Sequence, residues 1–309
     1  MTRDNHGHSH ALAATATGTH RRRLMVVLAI TVTVLVVQVV GGLLSGSLAL
    51  LADAGHMATD AAGITAALLA ASLAARPATN ARTYGLQRAE ILAALANALL
   101  LGGVAVWVLV EAARRWSEPA DIESGLMLLV AAVGAAANLV SLLILRRGAD
   151  ESLNVRGAYL EVLGDLLGSV AVIVAGVIIV TTGYTRADAV ASVLIAVMIL
   201  PRAWGLLRDV LDVLLEATPR GVDLDFVRDH ITGVRGVVDV HDLHAWTITS
   251  GVPVLSAHVV VDEACIADGR AGEVLDQLGE CLQGHFDVAH CTFQLEPVGH
   301  QAHEAAHHR

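Results

Sequence analysis

Lysine is absent from this chain of 309 residues, so every basic residue is arginine, a trait of base composition rather than of chemistry. Charge of either sign is scarce. Only 16% of residues are charged and 55% are hydrophobic, with a mean hydropathy of +0.61. An ordinary soluble domain carries about 25% charged residues, so the composition argues against one. Aromatics make up 3% and no basic run is interleaved with them, which removes any nucleic-acid reading of the chain despite its formal net charge of -10. The three cysteines, Cys265, Cys281 and Cys291, form no CxxC and all lie near the C-terminus. An odd, sparse count excludes a disulfide framework and fits a reducing compartment. No HExxH and no nucleophile–base arrangement stands out, so the chain does not read as an enzyme and no prosthetic group is expected. No repeat of solenoid period appears.

What the chain has in abundance is apolar runs of about 20 residues, the length that spans a hydrocarbon layer about 30 Å thick. Six are expected, over 24–44, 48–75, 88–112, 125–146, 157–181 and 187–209. Arg21, Arg22 and Arg23 precede the first in the manner of a signal peptide, but that run is long enough to span and no A-x-A-like cleavage site follows, so it reads as an uncleaved span. The segments on the N-terminal side of the layer hold Arg21, Arg22, Arg23, Arg76, Arg82, Arg88, Arg146, Arg147 and Arg156; the opposite side holds Arg114, Arg115 and Arg186. That bias places both termini in the cytoplasm and the protein in the cell (inner) membrane as a multi-pass protein. Beyond Leu211 the pattern changes to a helix, two strands, a helix and a strand, a small αββαβ domain of the α+β class. The expected organisation is a His-containing tail over 1–23, a six-helix transmembrane domain over 24–210, a cytosolic domain over 211–298 and a second His-containing tail over 299–309.

Two ionisable pairs interrupt the apolar runs. His56 and Asp60 lie in LLADAGHMATD, Glu161 and Asp165 in GAYLEVLGDLLGS, each spaced i,i+4 so that both side chains leave one helix face. A charge at bilayer depth costs several kcal/mol without a partner, a proton or an ion. With the second span running inward and the fifth outward, His56 lies about 14 Å and Asp60 about 20 Å below the outer surface; Glu161 lies about 10 Å and Asp165 about 16 Å from the inner one. His56 thus levels with Asp165, and Asp60 with Glu161. One imidazole and three carboxylates suit a divalent transition metal. The competing reading is a set of buried ion pairs that hold helices together, and the small residues nearby, Ala54, Gly55, Gly63, Gly164 and Gly168, fit tight helix packing as well. Asp53, one turn outward of His56, reads as a pathway ligand or a packing acid. Gln38, Asn97 and Asn138 read as interhelical hydrogen-bond partners. Cys291 reads as a small buried hydrophobe or, beside His290, as a thiolate donor.

The motifs LLADAGHMATD, YGLQRAEILAAL, SLNVRGAYLEVLGDLLGS and HDLHAW resemble the cation diffusion facilitator family, and the resemblance runs from Leu24 to Glu296. It implies a six-span, dimeric antiporter with a cytosolic ferredoxin-like domain, exchanging divalent metal for protons. Zinc is the metal it implies first, as substrate and as a regulatory ligand, with cadmium and cobalt beside it; manganese, iron, or a membrane metal sensor without transport are the alternatives. The implied transport site is His56, Asp60, Glu161 and Asp165. The implied regulatory set in the cytosolic domain is His241, His258 and His290 with Glu296. His241 and His258 lie on consecutive expected strands and His290 opens a third, so the three are expected to gather.

This chain departs from the family pattern in three places. Glu161 stands where many zinc-type members have His, which makes the site three oxygens and one nitrogen, a harder set that loosens discrimination for zinc. The 76–87 loop has no His, and the RRGADESLNVRG connection lacks a His-rich stretch; the histidines sit in the tails. The mechanism follows from ligand chemistry. Metal needs neutral imidazole and ionised carboxylate, so binding releases protons and protonation releases metal.

Overall fold

The computed structural model describes residues 9–146, 153–286 and 290–303, with side chains over 25–146, 155–280 and 290–302. Six helices are long and apolar enough to cross a membrane: α1 (Ser9–Ser45), α2 (Leu48–Ala74), α3 (Ala89–Ser117), α4 (Ser124–Arg146), α5 (Leu153–Thr182) and α6 (Arg186–Leu214). Their outward-facing Leu, Val and Ile side chains stay exposed, as a lipid solvent allows. α1 starts at Ser9 rather than at Leu24, because the stretch ahead of the apolar run is alanine-rich and proline-free and continues the helix. His10 and His20 therefore fall on α1, whereas His6 and His8, and the end of the other tail, lie outside the described residues.

Within the unit formed by Met1–Ile64 and Asn97–Trp204, α1 packs on α4 and α4 on α5. Close approach is bought with glycine: a Cβ on Gly41 would fall 2.5 Å from Val130, and one on Gly176 2.8 Å from Leu128. The apolar core draws Leu50 from α2, Leu101 and Val108 from α3, Met127 from α4, Val172 from α5 and Ile195 and Ile199 from α6.

The start of α2 is fixed by a residue from another helix. Gly46, at φ 71°, turns the chain between α1 and α2. Ser47 Oγ donates to Asp188 Oδ1 at 2.6 Å, and the backbone N–H groups of Leu48 and Ala49 donate to the same carboxylate at 2.8 and 3.2 Å. Asp188, on α6 and 1% exposed, thus serves as the N-cap of α2. Arg115 from α3 closes the group, donating to the Gly46 carbonyl at 2.6 Å and lying 3.6 Å from Asp188. His56 follows two turns further along α2.

The second compact unit joins Thr65–Ala96 to Gly205–Arg309. Inside that unit Arg88 pairs with Glu216 at 3.1 Å, Thr249 donates to Glu90 at 2.8 Å, and Tyr84 meets His290 edge-on. Its C-terminal part runs α7 (Leu224–Thr232), β1 (Val237–Thr247), β2 (Pro253–Val261), α8 (Glu263–Ala267), α9 (Ala271–Phe286) and β3 (His290–Pro297). The expected αββαβ order is the one found, with the five-residue α8 added where Asp262 accepts from the Cys265 N–H and caps a short turn. β1 pairs antiparallel with β2, and β2 parallel with β3 after the α9 crossover, giving the order β1-β2-β3. Val227 and Ile231 of α7 and Val274 and Leu278 of α9 cover one face of this sheet.

Candidate functional site

The two i,i+4 pairs meet between α2 and α5. His56 Nε2 lies 3.5 Å from Asp60 on its own helix and 3.9 Å from Asp165 Oδ1 on α5. Asp60 and Glu161 are neighbours that share one partner, Arg202. Of the levels expected from helical rise, His56 with Asp165 is a direct approach, and Asp60 and Glu161 are joined through Arg202. Asp165 is 4% exposed and its Oδ1 has no hydrogen-bond partner; His56 Nδ1, also buried, has none either. Buried polar atoms without a hydrogen-bond partner are costly.

A fifth side chain joins them. Arg202 of α6 places Nη1 3.3 Å from Asp60 Oδ2 and Nη2 3.6 Å from Glu161 Oε1, bridging α2 and α5. Read as sequence, Arg202 is one more basic residue near the end of an apolar run, and its side chain crosses to another helix only in the folded chain.

One turn nearer the start of α2, Asp53 is buried and accepts a 2.7 Å hydrogen bond from Gln38 Nε2 of α1. Gly168 and Gly134 make room for this pair: a Cβ on Gly168 would lie 2.8 Å from Asp53 Oδ1, and one on Gly134 3.1 Å from Gln38 Nε2. Gln38 is thereby an interhelical partner, and Asn97 packs against Gly63, where a Cβ would meet it at 2.6 Å. Asn138 is buried with its Nδ2 unpartnered.

In the sheet, His241 on β1 faces His258 on β2, with ring centroids 5.1 Å apart. Glu296 of β3, 1% exposed, lies 3.2 Å from His241 Nε2 and 2.9 Å from His258 Nδ1. Ligand atoms of these three residues all fall within 4.8 Å of one another. A bulge after His241 places Asp242 at φ 49°, a left-handed conformation Asp tolerates better than most side chains. Its carboxylate then reaches His258 at 3.7 Å and His244 at 2.9 Å.

His290 does not join this group. In the parallel register it stands opposite Val254, and the residue facing His258 is Gln294. Four residues of strand separate the two positions, about 13 Å, and the His290 ring instead meets Tyr84. Gln294 donates to Glu296 Oε1 at 2.8 Å and orients it. A parallel register set by a helical crossover leaves no local signature, so the resemblance and the strand order led to His290 without showing which β3 residue faces His258.

Cys291 packs against the domain core, and burial pushes its thiol above the ordinary value. A raised thiol means less thiolate at a given pH, so Cys291 is not a ready donor for metal. Its alkylation by iodoacetamide at pH 8, followed by peptide mass spectrometry, is expected to lag a small free thiol and to climb only at more alkaline pH. A rate equal to the free thiol at pH 8 would refute this placement.

The chain is similar to known proteins over most of its length. The cation efflux transmembrane domain matches residues 24–215, and the cytoplasmic domain of cation efflux proteins matches residues 219–298. The metal cation efflux system protein CzcD of Cupriavidus metallidurans is 47% identical over 273 residues, which cover 88% of this chain and 85% of that protein. The zinc transporter ZitB of Escherichia coli is 42% identical over 263 residues, covering 84% and 82%. The cadmium, cobalt and zinc/H(+)-K(+) antiporter of Bacillus subtilis is 37% identical over 267 residues, covering 86% and 85%.

Proposed function

The chain belongs to the cation efflux family, a multi-pass membrane transporter of metal ions rather than an enzyme, and on that premise we propose that it exports zinc from the cytoplasm in exchange for protons. Cadmium and cobalt are further substrates, in keeping with the relatives named for them. The observation that carries this reading is the gathering of His56, Asp60, Glu161 and Asp165 on facing turns of α2 and α5, with buried atoms on His56 and Asp165 that have no hydrogen-bond partner. Imidazole nitrogen and carboxylate oxygen are zinc ligands at about 2.0–2.2 Å. Small side-chain and helix movements would bring all four to that distance. Because the ligating forms are neutral imidazole and ionised carboxylate, metal binding and protonation exclude each other, and exposing the site alternately to the two sides exchanges one for the other. Asp53, buried one turn outward, stands on the path from this site to the outer face. Both termini lie in the cytoplasm in this reading.

The test is zinc uptake into proteoliposomes holding the purified protein, with an imposed pH gradient and a pH dye on the metal side of the membrane. Zinc flux that drives a matching proton counterflow supports the proposal. Zinc flux indifferent to the pH gradient and to an ionophore that collapses it removes the proton from the mechanism. A potassium gradient, run as a separate arm, shows whether potassium also serves as a counter-ion, as the name of the Bacillus relative suggests.

His241, His258 and Glu296 form the proposed regulatory site, in a domain whose family match points to dimerisation. Zinc there would tie β1, β2 and β3 together and rigidify the sheet edge. Ligand that binds only the folded form stabilises it by about 2.7 kcal/mol at a hundredfold excess over Kd. Full-length protein in detergent is therefore expected to melt several degrees higher with zinc than with chelator, and to hold its dimer at greater dilution. Glu296→Ala is expected to abolish both gains while leaving the transport site able to bind zinc. Equal melting and equal dimerisation with zinc and with chelator would remove the regulatory role.

A further inference from the structure

The mechanism above leaves Arg202 unused, yet it touches two of the four proposed ligands. Its guanidinium forks between Asp60 at 3.3 Å and Glu161 at 3.6 Å, so a single cation from α6 already neutralises one carboxylate on α2 and one on α5. A metal ion bound to the same two carboxylates would sit within a few ångströms of that guanidinium. Two cations cannot share the pair without strong repulsion, because the medium between them is not bulk water. Arginine keeps its charge at every physiological pH, so the conflict is not relieved by losing a proton from Arg202. It is relieved only if the side chain moves.

The local chain permits that movement. Pro201, directly before Arg202, lies inside α6 and removes one hydrogen bond from the helix backbone. Ile199 and Ala203, on either side, are buried in the core and hold the helix in place. Arg202 itself is half-exposed and reaches the site through its long side chain alone. A swing of that side chain needs no unpacking of the core.

We infer that Arg202 is a tethered cation that competes with the metal for Asp60 and Glu161. It must withdraw for metal to bind, and it returns to the carboxylates as the metal leaves. Arg202 is thus a positioning residue with two opposed effects. It raises the metal concentration needed to fill the site, since metal must first displace it, and it speeds release by offering the carboxylates an alternative partner. The inference rests on the four-ligand reading of the transport site, with the residue that closes it now identified on α6.

Arg202→Gln keeps a hydrogen-bonding side chain but removes the competing charge. For zinc transport in proteoliposomes it is expected to lower KM roughly fivefold or more, because the fraction of sites open to metal rises. Its maximal rate is expected to fall at the same time. A residue that served only to hold α6 would raise KM or leave it unchanged while the rate fell. Arg202→Lys retains a tethered positive charge and is expected to return KM towards the parental value. Calorimetric zinc binding to the full-length protein in detergent, in a Glu296→Ala background that silences the cytosolic cluster, is expected to tighten with Arg202→Gln by a similar factor. An unchanged or raised KM together with unchanged affinity overturns the inference. Asp60→Ala, assayed alongside, separates the two levels of the argument: if it abolishes transport while Arg202→Gln keeps the parental KM, only the tethered cation is wrong, whereas if Asp60→Ala transports normally the four-ligand site itself is wrong.

Discussion

Asp60→Ala is expected to lower zinc transport by about a hundredfold or more while leaving the protein folded and inserted, since a missing ligand costs a metal site at least what a missing supporting residue does. Asp60 is central to the contacts between α2 and α5. It lies 3.5 Å from His56 Nε2, accepts a 3.3 Å hydrogen bond from Arg202 and shares that partner with Glu161. Its removal takes away one proposed zinc ligand and one of the two anions that face Arg202, so the remaining cation is drawn to Glu161 alone. Folding is expected to tolerate the change for a reason visible in the same helix. The start of α2 is held by Asp188 and Ser47, and its packing by Leu50 and Ala52, none of which touches Asp60. The measurement is zinc uptake into proteoliposomes at matched protein incorporation, with size-exclusion chromatography as the check on folding. A correctly inserted dimer of Asp60→Ala that moves zinc at the parental rate down a proton gradient would sink the proposed site.

The features of this site that were legible in the sequence are those set by local periodicity. Six apolar runs gave helices whose ends agree with expectation to within a few residues, except where α3 continues to Ser117, α6 to Leu214 and α1 begins at Ser9. Those extensions are polar or amphipathic, and hydropathy does not mark where such a helix stops. The i,i+4 spacing of His56 with Asp60 and of Glu161 with Asp165 put each pair on one face, and rise per residue put the pairs at matched levels. Contacts that depend on a third element were not legible. Arg202 comes from α6, and an arginine near the end of an apolar run has the same appearance whether it snorkels to an interface or reaches inward to two carboxylates. Asp188 capping α2 is a contact across 140 residues of chain. In the C-terminal domain the strands were legible from their alternation, but the parallel register of β3 was not, and with it went the place of His290 relative to His258.

Glu161→His is expected to narrow selectivity towards zinc, raising the zinc-to-manganese transport ratio by about tenfold or more. The parent site offers three carboxylates and one imidazole, an oxygen-rich set that suits harder cations nearly as well as zinc. A second imidazole at 161 makes two nitrogens and two oxygens, a set well matched to tetrahedral zinc. The substitution has a side effect, because Glu161 is also a partner of Arg202 at 3.6 Å. Loss of that carboxylate alters the charge of the site independently of ligand type. Glu161→Gln isolates this contribution: it removes the same charge without supplying a nitrogen ligand, so it is expected to slow all metals without favouring zinc. The measurement is relative transport of zinc, cadmium, cobalt and manganese by the parent and both variants across a pH series, each at matched incorporation. A zinc preference in Glu161→His that Glu161→Gln lacks assigns the effect to the ligand. A preference of equal size in both variants assigns it to charge and to the release of Arg202. If the profiles of parent and Glu161→His superimpose for all four metals, Glu161 does not ligate the transported ion, and the site on α2 and α5 must be completed by some other residue.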